Sequence, residues 1–406
     1  MVTRRGRFTL ALGGGTYLAA WAFGAHVLYV PAVGVLLAVL AAVVWTSILA
    51  RPLRLLRHVD RDRPVEGEDL VVRVELESDG GLMPPSAVLE EQPGRLGRRE
   101  VVVSRDGRFL RAVYRLVRVP RGRYRFTGAR AVVEDPFGLA RVVQPLADSA
   151  PLLVYPRLVR LQALFAERGL RSQGAGRILL RRPAGFELHS VREYQSGESL
   201  RRVHWPSTAR RQQLMVKELE DAPRDEVVVV LDAQQGHGAG PPGESSFDAQ
   251  VRAAGSLLWA HARRGRNARL VVTSGVDADA VSVRSYERDW PRALELLAAA
   301  EQTGRRPVEA LLGEHGGVGH ARDLVVVTAE LRPPLVDALI GRAAARQQVS
   351  VVLVDAPTFA GRRRRPAGPD AGLLRLEAAG IAIAVVRRGD DLEGVLGGPE
   401  VSVAHG

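Results

Sequence analysis

Cysteine is absent from the 406 residues, which excludes disulfides, Cys-ligated zinc and thiol chemistry. Lysine is nearly absent too: Lys217 is the only one, so arginine carries almost all the basic charge behind a formal net charge of +12. With so much Ala, Gly and Val beside it, that imbalance reads as GC-rich coding, and arginine content alone is no argument for nucleic acid. Catalytic signatures are missing as well. No Gly-x-x-x-x-Gly-Lys-Ser/Thr phosphate loop exists, since Lys217 follows "QLMV"; "ALGGGT" (11–16) lies in an apolar run with no strand before it. Neither His-Glu-x-x-His nor Gly-x-Ser-x-Gly occurs. The expectation is a protein that is not an enzyme and carries no cofactor or metal.

The first fifty residues lack charge: nothing ionic stands between Arg7 and Arg51. Two apolar runs fill the gap, 8–25 and 28–50, each long enough to cross roughly 30 Å of hydrocarbon at about 1.5 Å per residue. Pro31 suits the start of the second, and a turn over Gly24 to Leu28 joins them. Residues 1–57 therefore read as a transmembrane helical hairpin. Arginines flank both outer ends (Arg4, Arg5, Arg7; Arg51, Arg54, Arg57, Arg61, Arg63) and none lies in the turn, which by the positive-inside rule puts both ends and all later residues in the cytoplasm. The competing reading, a signal peptide cut after "AWA" (20–22), still leaves the second run as an anchor.

Residues 64–156 break into short period-two segments such as "DLVVRVELE", "REVVVS" and "RFLRAVYRLVRV", separated by Asp-Gly and Pro-Gly turns. That spacing predicts an antiparallel β-sandwich. Phe137, in the turn "EDPFGLARV", is expected to plug one end of it. Residues 157–224 then hold a short helix candidate ("LVRLQALFAERG"), a basic linker and a polar stretch. From 225 to 406, Val-rich strands at 226–233, 268–274, 323–330, 349–356 and 380–388 alternate with helical patterns at about 246–264, 291–302, 333–347 and 369–379. Continuous apolar strands between helices predict a doubly wound α/β domain with a largely parallel sheet.

Ligands in such sheets bind at the carboxyl ends of the strands. The first strand there ends in Asp232. This β/α order is similar to the von Willebrand factor A-like fold, in which an Asp-x-Ser-x-Ser loop at this point holds Mg²⁺ through hard oxygens. Here Gln234 and Gly236 stand in the serine positions, and Thr328-Ala329-Glu330 closes the third strand. Asp232 is expected to cap a loop in a degenerate metal site.

The stretch "GFELHSVREYQSGESLRRVHWPSTARR" (185–211) is the most distinctive. Residues 177–217 hold nine basic side chains against three acidic. Pro206 biases Trp205 to an extended backbone and opens a helical turn, and "LMVKELE" reads as an edge strand leading to the α/β sheet. The run Arg192-Glu193-Tyr194, Gly197-Glu198, Arg201-Arg202, His204-Trp205, Arg210 and Lys217 resembles the hallmark of the domain of unknown function 58 family, as does the Asp-Pro-Phe-Gly turn at 135–138. Glu198 and Ser199 replace two usual aspartates, His204 an aspartate or asparagine, and Pro206 a lysine. The resemblance implies partnership with a MoxR-type AAA+ ATPase, and with a membrane transglutaminase-like protein in some bacteria. On the residues alone, Arg192 to Tyr194 suit an ion-paired clamp between domains and Trp205 a buried wedge, while Arg201, Arg202, Arg210 and Arg211 suit phosphates or an acidic partner. His204 has no carboxylate at a telling spacing. The leading expectation is a membrane-anchored adaptor that binds no nucleic acid. A nucleic-acid-binding or nuclease-like protein using the basic stretch is one alternative, and a metal-dependent binding domain another.

Overall fold

The computed structural model describes residues 1–49, 52–78, 84–147, 150–166, 188–193, 205–219, 226–313, 318, 321–361 and 371–397. The chain divides into two compact units, Met1–Tyr155 and Pro156–Gly406.

The first unit begins with two helices, α1 (Arg4–Phe23) and α2 (Tyr29–Leu49). Thr3 caps α1 by accepting from the Gly6 N–H, and Gly24 ends it in the left-handed region at φ +64, where only glycine sits without strain. The helices pack closely, because a Cβ on Gly13 would lie 3.1 Å from Val35 and Leu36 side chains. Tyr17 meets Tyr29 edge-on at 5.1 Å. Among the described residues one helix is long and apolar enough to cross a membrane, His26–Leu49, with mean hydropathy 2.7. α1 begins with three arginines and has three glycines in a row at its centre, and does not reach that level.

Eight strands follow: β1 (Leu53–Val59), β2 (Leu70–Ser78), β3 (Ser86–Pro93), β4 (Arg99–Asp106), β5 (Phe109–Leu116), β6 (Gly122–Glu134), β7 (Arg141–Pro145) and β8 (Pro151–Val154). The expected sandwich is instead one continuous, curled antiparallel sheet in the order β1-β2-β5-β4-β3-β6-β7, with β8 also on β6. The 13-residue β6 makes this possible, because different parts of it pair with β3, β7 and β8. A register shift between Glu90 and Gln92 adds the local bend. Alternation does the rest: Leu70, Val72, Val74 and Leu76 are all fully buried against one side-chain core. β1 is a second departure, since residues 53–57, assigned by sequence to the membrane hairpin, pair with β2 along their whole length. Arg57, counted above among the flanking arginines, is buried there in an ion pair with Glu91.

The second unit starts with residues 156–164, which form neither helix nor strand; of the expected helix over 158–169 the described residues show helix at 165 and 166. Leu161 and Leu164 are buried in the α/β core, and the Ser256 hydroxyl accepts from the Val159 N–H at 3.0 Å; the basic linker expected after them lies outside the described residues. A separate two-stranded ribbon comes next, β9 (Leu188–Glu193) with β10 (Met215–Leu219), around the short helix α3 (Trp205–Arg211). β10 pairs with β9 and forms an edge strand of this ribbon rather than of the α/β sheet that follows it.

The main sheet contains β11 (Val227–Leu231), β12 (Ala268–Val272), β13 (Asp279–Val283), β14 (Asp323–Thr328), β15 (Gln348–Val354) and β16 (Ala382–Val386), ordered β13-β12-β11-β14-β15-β16. All ladders are parallel except β12 with β13. Helices α4 (Ser246–Arg263), α5 (Tyr286–Ala299), α6 (Val308–Gly313), α7 (Pro333–Ala344), α8 (Ala356–Phe359), α9 (Ala371–Ala378) and α10 (Leu392–Gly397) connect and flank the strands. Successive valines of β11 enter opposite cores: Val227 and Val229 pack with α4, Val228 and Val230 with α6 and α7. Burial on both faces is the reason these strands read as unbroken apolar runs. α4 is fixed at its start by a capping box between Ser245 and Asp248.

Candidate functional site

The chain runs from β11 to β12 on one side and returns to β14 on the other, so the sheet reverses direction of growth between β11 and β14. The crevice beyond the carboxyl ends of two such strands is where open α/β sheets bind ligands. Asp232 stands there, buried, with its own N–H donated to Val327 O. Both carboxylate oxygens are engaged. Oδ1 accepts from the Gln234 N–H at 3.1 Å, and Oδ2 accepts from the buried Thr328 hydroxyl at 2.8 Å. The first contact is an aspartate turn over its own backbone; the second ties β11 to β14 across the switch point.

The loop after Asp232 is pinned at several further points. The Ala233 N–H donates to the Thr273 hydroxyl at 2.8 Å, and Gly304 exchanges backbone hydrogen bonds with Ala233 and Gln235. A Cβ on Gly304 would fall 1.9 Å from Thr273 O, so only glycine lets these segments approach. His237 Nε2 lies 3.1 Å from a Glu330 carboxylate oxygen. Gln234 and Gly236 stand where two hydroxyls would add hard oxygens, and Gln234 bridges to Gly304. Among the described residues no three His, Cys, Asp or Glu side chains converge as a metal cage. Asp232 serves as a strand-to-strand tie and loop cap. Asp232→Ala leaves the Gln234 N–H without its acceptor and the Thr328 hydroxyl with the Glu330 carbonyl alone, which cuts the tie between β11 and β14, and the expected loss is about 1–3 kcal/mol. A fall in the denaturation midpoint of the α/β unit checks it.

In the signature segment, Met215 pairs with Glu193, Val216 with Arg192 and Lys217 with Val191. Buried Met215 donates its N–H to the Thr208 hydroxyl at 3.0 Å, which fastens α3 to β10. Gln212, just past α3, turns the chain at φ +53. Trp205, expected as a buried wedge, is 67% exposed, and Met215 on β10 is buried. Arg210 and Arg211 are exposed in the last turn of the same helix. Tyr194, Gly197, Glu198, Arg201, Arg202 and His204 lie outside the described residues. Sequence reasoning placed Thr328 at the end of its strand without its role and missed Thr273; their hydroxyls hold the Asp232 loop, and a threonine closing an apolar strand was the available signal.

The family model described as "Protein of unknown function DUF58" matches residues 190–379, from the ribbon through most of the α/β unit. The protein named "Uncharacterized protein YeaD" of Bacillus subtilis (strain 168) is 27% identical over 220 residues, covering 54% of this chain and 53% of that one. The chain thus spans about half the length of the curated relative it matches. Among solved structures, Cwp6 from Clostridium difficile aligns over 74% of this chain and 49% of its own with 11% identity. The TM-score of that alignment is 0.17.

Proposed function

We propose that this chain is a membrane-anchored, non-enzymatic adaptor. In this reading α1 and α2 both cross the bilayer, the two units lie in the cytoplasm, and a von Willebrand factor A-like α/β unit docks a MoxR-type AAA+ ATPase during assembly or maturation of envelope-associated proteins. The apolar His26–Leu49 segment supports the anchor. Arginines at both outer ends of the helices and none in the turn support the orientation.

The observation that carries the docking role is α3. It holds an exposed tryptophan, 67% accessible, one to two turns from two exposed arginines, inside the segment matched by the DUF58 model. Exposed Trp and Arg side chains on a fixed element are what binding hot spots are made of. Co-purification of the full chain from membranes with a neighbouring AAA+ ATPase tests the role. Trp205→Ala combined with Arg210→Ala and Arg211→Ala should lower recovered ATPase by about tenfold or more. Equal recovery from wild type and variant sinks α3 as the docking surface.

A further inference from the structure

The turn between β6 and β7 is tied to the first residues of α1. Asp135, buried at its base, accepts from the Phe137 N–H at 2.9 Å and from the Ala140 N–H at 2.5 Å, and its own carbonyl accepts from Gly138. The turn is therefore rigid on its own account. Val2 then forms a β-bridge with Ala140, and the Thr3 N–H donates to Leu139 O at 2.9 Å. The Thr3 hydroxyl donates to Gly138 O at 2.6 Å. Gly6 seals the joint, because a Cβ there would lie 2.1 Å from Leu139 O.

This rigid turn holds Phe137 outward, 76% exposed. It was expected to plug the sheet; the buried residue of the turn is the aspartate instead. Arg5 reaches the turn, with its Nη1 3.8 Å from where a Cβ on Gly138 would stand; Arg4, Arg5 and Arg7 at the start of α1 and Arg141 at the start of β7 are all exposed. Phe8, the first apolar residue of α1 beyond the arginines, is 72% exposed. An aromatic set among arginines, level with the end of a membrane helix, is the chemistry of the bilayer interface: the ring enters the acyl boundary and guanidinium groups meet anionic headgroups.

We propose that the Asp135–Ala140 turn is a lipid-contacting foot, with Phe137 inserted in the cytoplasmic leaflet and Arg4, Arg5, Arg7 and Arg141 on anionic headgroups, so that the sheet is held at a fixed height on the membrane. The proposal rests on the reading that α1 and α2 anchor the chain with α1 starting in the cytoplasm. It adds a second contact, made by the sheet unit itself, to that made by the helices.

The absence of native cysteine makes the test direct. Phe137→Cys, Val102→Cys and Leu40→Cys, each labelled with a nitroxide in the full chain, are reconstituted in vesicles of phosphatidylcholine with phosphatidylglycerol. Accessibility to oxygen is compared with that to a water-soluble nickel chelate. All three native side chains are exposed, so the substitutions leave the fold intact. The label at 137 should favour oxygen severalfold over the label at 102 on β4, as the label at 40 in α2 should. A label at 137 as open to nickel as that at 102, with 40 still deep, overturns the foot and leaves the anchor standing. Nickel access at 40 as well removes both.

Discussion

Glu91→Ala should destabilise the curled sheet by about 3–5 kcal/mol, the usual cost of breaking a fully buried ion pair from one side. The Arg57 and Glu91 side chains are 1% and 0% exposed. The guanidinium also lies over the Phe126 ring at 4.0 Å from its centroid, and the Tyr114 hydroxyl donates to the other Glu91 oxygen. Burial, and then Glu91 itself, pushes the Tyr114 phenol well above its ordinary range, so this hydroxyl stays a donor at any working pH. Removing the carboxylate takes an ion-pair partner from a guanidinium whose side chain is 1% exposed, and deprives the phenol of its acceptor. Replacing both charges, Arg57→Met with Glu91→Leu, should recover the part of the loss that comes from the unbalanced cation, because two desolvated ions exchange for apolar volume, while the Tyr114 hydroxyl still lacks its acceptor. Native-state hydrogen exchange of the slowest amides in β2, β3 and β6 reads the effect locally, without assuming that the two units unfold together. A loss under about 1 kcal/mol for Glu91→Ala would show that the pair is open to solvent.

The same ion pair explains where sequence reading stopped. In "LRLLRHV" the arginines argued for a membrane flank, and nothing local told that Arg57 would find Glu91, 34 residues later. β1 was lost for that reason. In the α/β unit the reverse holds: continuous valines have one physical explanation, burial on both faces, so its five parallel strands were legible to within a residue or two. β13 was not, since "DAVSV" is exposed along most of its length and depends on pairing with β12 for its existence. Strand positions in the first unit were also readable, but closure was not. Whether eight period-two strands form two layers or one curled sheet depends on how long β6 is and where it bends, which alternation does not report. At the candidate site, Asp232 was legible as the residue closing the first strand, but the Thr328 hydroxyl that meets it across the switch point comes from another strand. Trp205 and Phe137 failed for a shared reason. Large aromatics are assumed to be buried, and both are exposed; in the Phe137 turn the buried side chain is Asp135 instead.

Acidification should weaken the α/β unit through His261, by about 2 kcal/mol between pH 7 and pH 5. His261 is 4% exposed on α4, and burial lowers its pKa to about 3, helped by the charges of Arg266 and Arg264. Arg266 Nη1 sits 3.2 Å from the ring Nδ1 and also ion-pairs with Asp323, so the ring nitrogen is placed to accept a hydrogen bond from a cation. It cannot take a proton without losing that bond and facing the guanidinium as a like charge. Above the ordinary histidine pKa near 6.5, the ring is neutral in both folded and unfolded chains and folding carries no penalty. Between there and about pH 3 the unfolded chain binds a proton that the folded one refuses, so stability falls with falling pH at up to about 1.4 kcal/mol per unit. Below the folded pKa both forms are protonated and the slope vanishes. His261→Gln keeps a polar acceptor without a titrating group. Its unfolding free energy, followed by hydrogen exchange at β11 and α4, should be flatter by that amount over the same interval, while amides of the first unit show no difference between the two proteins. Parallel pH profiles for wild type and His261→Gln would mean that solvent reaches the ring, and that the contact with Arg266 opens before the unit unfolds.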